Sequence, residues 1–105
     1  MPTQRQIERF TLEFHQIAVS RLRAQPEQLA TAVDVLNRWE AQGASVFGQA
    51  YRDVWRCLLG GGVEEIENAV CVDTDKAATI RSMSPLGFLL SDAERKQVRT
   101  KAMAI

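Results

Sequence analysis

His15 is the single histidine of this 105-residue chain, and imidazole is the side chain best suited to moving a proton or holding a metal near neutral pH. Either role needs partners. On a helix Glu13 and Gln16 project to other faces than His15, and no nearby carboxylate or cysteine cluster completes a ligand set. A surface or boundary position is therefore expected. Cys57 and Cys71 lack the close spacing of a redox or zinc motif and read as reduced thiols buried in helical segments. Glu64, Glu65, Glu67, Asp73 and Asp75 gather carboxylates without the glycine and alternating oxygen ligands of a calcium loop, which suggests a solvated helical face. Paired acid and base carboxylates would need an elongated substrate cleft that so short a helical chain does not promise. The run Gly60-Gly-Gly62 is preceded by no strand and followed by no lysine with serine or threonine, so its phosphate-cradle reading fails. No catalytic residue, metal ligand or cofactor is assigned.

Binding residues are better represented. Trp39, Tyr51 and Trp55 could form an aromatic surface, although at these spacings such residues more often lock helices together. The order helix, Gly43, helix invites comparison with a helix-turn-helix, but only Arg52 and Arg56 are offered to phosphates. The most distinctive stretch is Arg81 to Arg95, in which Pro85, Leu86, Phe88, Leu89 and Leu90 form an apolar, proline-interrupted loop between charged helical segments. A solvated linker has no use for such residues. Two readings remain, a plug of the chain's own core or an anchor for a partner. The anchor is the working expectation, with Leu86, Phe88 and Leu89 at its centre, Pro85 orienting them, and Arg81 and Arg95 as a charged rim.

The elements that would position these residues are helical throughout. Ile7, Phe10, Phe14, Ile17, Ala18 and Leu22 recur at three- and four-residue intervals, predicting a helix over 4–24. Pro26 suits a first helical turn, and a second helix over about 26–42 ends at Gly43. The short junction predicts that these two pack antiparallel. Ser45 is placed to cap a third helix running through Phe47, Tyr51, Val54, Trp55, Leu58 and Leu59 to the glycines. A short acidic helix or helical turn over 63–72 follows, with Ile66, Ala69 and Val70 inward, while Val70-Cys-Val72 alone could equally be strand-like. Asp73 or Asp75 can cap the next, which contains Ala77, Ile80 and Met83 and carries Arg81 near its end. Ser91-Asp-Ala-Glu94 is a capping box that starts a last helix, solvated and frayed over about 100–105. The expected fold is all-α, a single domain over 1–105 built as a small bundle of five or six helices.

Thirteen basic residues balance thirteen acidic ones, so no overall field draws the chain to nucleic acid or an anionic membrane. The isolated protein should have little affinity for duplex DNA at physiological salt. The polar, charged opening residues lack the apolar run of a secretory signal, and no apolar run would span a bilayer, so a cytoplasmic location is expected.

A longer pattern joins these pieces: His15 with Arg21-Leu-Arg23, Pro26, Leu36-Asn-Arg-Trp39, Trp55 with Leu58-Leu59, Glu64-Glu65, Ala77 with Arg81, Ser84-Pro-Leu-Gly-Phe-Leu-Leu90 and Glu94-Arg95. In this order they resemble a group of small bacterial helical proteins, the antitoxin-like partners of toxin–antitoxin gene pairs. The chain departs from that pattern at Leu86, where phenylalanine is usual, and at the three glycines, where a shorter proline-containing turn is common. The resemblance implies an all-helical protein without an active site that masks a cognate toxin by steric occlusion, in some pairs a nucleotidyltransferase-type enzyme acting on RNA. Self-association as a homodimer stays open. The alternatives are a DNA-binding regulator, which could also control its own gene, and, ranked last, a small enzyme.

Overall fold

The computed structural model describes residues 1–43 and 45–104, and of Phe47 the backbone alone. Six α-helices follow one another: α1 (Gln4–Ala24), α2 (Gln28–Ala41), α3 (Gln49–Gly61), α4 (Val63–Val70), α5 (Asp75–Arg81) and α6 (Asp92–Met103). Two 3₁₀ turns, Val46–Gly48 and Leu86–Leu89, precede α3 and α6, and the described residues contain no strand. The all-α expectation holds.

Local chemistry explains the boundaries. Thr3 accepts a hydrogen bond from the Gln6 amide while the Gln6 side chain returns one to the Thr3 amide, so α1 starts on a capping box. Ser91 and Glu94 form the same reciprocal pair at the head of α6, as expected. Two caps differ from expectation. The α5 cap is Thr74, whose hydroxyl accepts from the Ala77 amide at 3.1 Å, and neither neighbouring aspartate takes that place. Ser45 stands at the head of the 3₁₀ turn, its carbonyl accepting from the Gly48 amide, and α3 begins after that turn with Gly48 at its N-cap position. The helix then runs through Gly60 and Gly61 and breaks at Gly62, whose φ of +98° is open to glycine but strained for other residues.

The core gathers Phe14, Ala18, Val19 and Leu22 of α1 with Leu36, Trp55, Ile66, Val70, Ile80, Leu86 and Val98 from the other elements. At its centre is α1, flanked by α6 and α4, with α5 beside it, while α2 lies against α3. The short junction after α1 brings α2 back to the same core, where Ala32 and Leu36 join the α1 residues in one cluster and Leu29 and Val33 pack against it. The last helix is also more firmly held than its polar composition suggested. Val98 and Ala102 are buried, Arg99 lies over the Phe10 ring at 5.4 Å, and the Gln6 side chain donates to the Met103 carbonyl. The helix extends to Met103, and Ile105 lies outside the described residues.

Candidate functional site

The apolar loop closes on its own core. Leu86 is 0% exposed, Pro85 is fully buried, and Leu89 and Leu90 are buried, so the expectation of a partner anchor is corrected for this loop. A 3₁₀ turn eclipses residues three apart, which sends Leu86 and Leu89 inward together and leaves Phe88 outward at 38% exposed. The turn is also tied by its carbonyls. Arg21 of α1 donates to the Leu89 carbonyl at 2.6 Å and pairs with Glu94, while Arg95 donates to the Gly87 carbonyl and lies over the Phe14 ring at 5.7 Å. The Arg21 guanidinium, joined by the Ser91 amide, holds the Glu94 carboxyl down to about 2. Phe88 and the half-buried Arg95 are the residues of the proposed anchor that keep some surface.

Arg81 is no rim charge, being 3% exposed. One of its terminal nitrogens donates to the Val70 and Val72 carbonyls at 2.8 and 2.9 Å, closing the carboxyl end of α4, and its Nε donates to the Thr11 hydroxyl. A cation suits that helix end. Burial nevertheless pulls its pKa down from the usual guanidinium value. His15 is likewise corrected from boundary to core, at 3% exposed between the rings of Phe14 and Trp55. Its Nδ1 lies 2.7 Å from the Thr11 carbonyl and must carry the proton, because a carbonyl can only accept. Burial first, then the nearby Arg81 charge, lowers its pKa to about 4 against the opposing pull of that hydrogen bond. A group sealed in this way cannot reach a substrate from any open face.

The expected phosphate contacts are also engaged elsewhere. Arg52 is buried against the Ser45 carbonyl and the Gln49 side chain, close to the backbone of Gly48, where a Cβ would come within 2.8 Å of its guanidinium. Arg56 bonds Asn37 and pairs with Glu40 at 3.0 Å, joining α3 to α2. Of the acidic group, Glu67 pairs with Arg23 and Asp73 with Arg5, and no metal-holding cluster occurs among the described residues. Cys57 is exposed and Cys71 half-buried, so neither is the core thiol that the sequence suggested.

Two open, mainly apolar cavities of about 610 Å³ each meet at Tyr51 beside α3 and are here called the groove. One runs from Tyr51 past Val54 and Leu58 to Ala69 and Val72, and the other from Tyr51 to Trp39 and Met83. Ile80, which lines the first cavity, accepts at its carbonyl a hydrogen bond of 2.9 Å from the fully buried Trp55 indole, which joins α3 to α5. Lys76 stands at the rim of the first cavity, and no carboxylate lines either one.

Comparison of the chain with family models, with curated proteins and with solved structures finds no match in any of the three. The chemistry of the site therefore rests on its own residues.

Reading the aromatics as helix locks succeeds for Trp55 and for half-buried Trp39, which packs against the core, and misses Tyr51, which is half-buried and lines both cavities. A signal was available. In α3 the residues Tyr51, Val54, Trp55, Leu58 and Leu59 cover a wider arc than the ~100° stripe that one core contact needs. Trp55 and Leu59 fill the core, which leaves Tyr51, Val54 and Leu58 for a second contact.

Proposed function

We propose that this chain is a non-enzymatic protein-binding module, antitoxin-like, that masks a partner toxin by steric occlusion. The observation that carries the reading is the groove beside α3, an apolar concavity whose α3 and α5 walls are joined by the Trp55–Ile80 hydrogen bond. Such a surface costs little to order when a partner docks. The residue pattern shared with antitoxin-like proteins supports the partner class, with a nucleotidyltransferase-type toxin as the leading candidate. No helix among the described residues is long and apolar enough to cross a membrane.

The test is co-purification of the tagged chain from its native host, followed by co-expression with the retained protein. A stoichiometric partner whose growth inhibition is relieved by the chain is the expected result. Recovery of the chain alone, together with tight and salt-dependent binding to DNA from upstream of its own gene, would replace this reading with that of a regulator.

A further inference from the structure

Accepting the protein-binding reading, we infer that the groove along α3 seats an amphipathic helix of the partner, one whose apolar face is flanked by a carboxylate that meets Lys76. Backbone chemistry favours a helix. The walls of the first cavity are drawn mainly from α3, α4 and α5, whose amides and carbonyls are largely bonded within their own helices. An extended segment lying there would find few partners for its own backbone groups, and leaving these unpaired is costly. A helix satisfies those groups internally and presents side chains alone.

The spacing agrees. Tyr51 and Leu58 stand seven residues apart on α3, about 10.5 Å along its axis at 1.5 Å per residue. A docked helix covers that distance with anchors at i, i+4 and i+7, and the second cavity beyond Tyr51 receives one more large apolar side chain beside Trp39 and Met83. Charge then selects among apolar helices. Of the two cations that line the groove, Arg52 is held near Glu40 and Gln49, whereas Lys76 is exposed and has no ion-pair partner among the described residues. With no carboxylate in the lining, an acidic flank is attracted and a basic one repelled. A second copy of the chain is a poorer occupant, because the solvent face of its longest late helix, α6, displays Lys96, Arg99 and Lys101.

The occupant can be read without knowing the partner, by selecting from a display library of 16-residue helical peptides against the full-length chain. Enriched peptides should carry apolar residues at i, i+4 and i+7 with Asp or Glu beside them. Against Lys76→Glu the same library should yield Lys or Arg at that flank. Val54→Asp should weaken the best peptide by about tenfold or more, since it lodges an unpaired carboxylate in an apolar contact. Lys76 is fully on the surface, so its variant tests the idea even where Val54→Asp disturbs folding. Enriched peptides with no charge preference, peptides that bind both variants as well as wild type, no enrichment at all, or displacement of the peptides by the chain's own dimerisation would each overturn the inference. The two readings fail separately. A native partner that co-purifies undiminished with Lys76→Glu and Val54→Asp keeps the protein-binding module and removes the helix from the groove, whereas selected peptides without a native partner do the reverse.

Discussion

The loop Pro85–Leu90 and the face of α3 that bears Tyr51, Val54 and Leu58 are both apolar stretches that the periodicity of a single core stripe does not absorb, yet one is shut and the other open. The loop is shut because its carbonyls have partners: Arg21 and Arg95 hold Leu89 and Gly87 from two different helices, so the turn is fixed with Leu86 inside. Among the described residues no arginine spans the Tyr51, Val54 and Leu58 face in this way, and its apolar side chains line a concavity. Apolar composition thus marks where a segment must be covered, while the polar atoms around it decide whether the chain supplies the cover. The largest test of this contrast is a pair of truncations. Leu86→Ala should cost about 2–5 kcal/mol of folding stability, as emptied core sites do, whereas half-buried Leu58→Ala should cost markedly less. Urea unfolding followed by tryptophan fluorescence measures both, and equal costs would erase the distinction between plug and groove.

The next effect concerns the closed side alone and depends on pH. His15 titrates at 6.5 when unfolded and at about 4 in the fold, so the unfolded chain takes up its proton first as the solution is acidified. Stability is full above pH 6.5, declines as pH falls, and levels off below about 4, where both states are protonated. At about 1.4 kcal/mol per pKa unit the total loss is on the order of 3 kcal/mol. Urea midpoints at pH 7, 5.5 and 4.5 should fall in that order, and His15→Gln should flatten the series. Glu94 acts in a separate and lower window. Its carboxyl, held at about 2 by Arg21, contributes stability above 4.5 that is lost as pH drops towards 2. A midpoint that holds steady from pH 7 to 4.5 would mean that the imidazole is wet rather than sealed.

Much of this was legible and some was not, for physical reasons that differ by residue. Helix α1 could be bounded from sequence because its apolar period is long, and α6 could be started at Ser91 because a capping box is a local device; the capping box at Thr3 was equally local and went unread. Long-range polar contacts leave no such local trace. Arg81 reads as a cation at the end of its own helix, but its carbonyl partners Val70 and Val72 lie at and just beyond the end of α4, and Thr11 lies 70 positions away. His15, Arg21, Trp55, Arg81, Glu94 and Arg95 each pack or bond within the closed side. The loop 85–90 reads as a candidate anchor because composition alone does not show the Arg21 and Arg95 side chains that tie its carbonyls down.

Helix caps give a smaller effect and sharpen the comparison at its edges. Thr74, which starts the α5 wall of the groove, should lose about 1 kcal/mol on change to Ala, and Ser91, which starts α6 behind the loop, about the same. Asp75→Ala should do less, because Asp75 is not the cap. Thermal melts resolve these differences, and a larger loss at Asp75 than at Thr74 would return the cap to the aspartate.

The smallest expected effect on stability comes from the cysteines, which report on exposure without disturbing the fold. Cys57 projects from the solvent side of α3, while Cys71 is half-buried after α4, where burial and then the Glu67 charge push its thiol up to about 11. Only the thiolate attacks an alkylating reagent. At pH 8 the Cys71 thiolate amounts to about one part in a thousand, since each pH unit below a pKa lowers the ionised fraction tenfold. Iodoacetamide should therefore label Cys57 first, leave the melting temperature unchanged, and reach Cys71 only as denaturant opens the chain. Peptide mapping of a time course separates the two sites. Equal labelling in the native protein would show that the end of α4 opens freely, and with it the wall formed by Ala69 and Val72, so that the groove would no longer be a preformed surface.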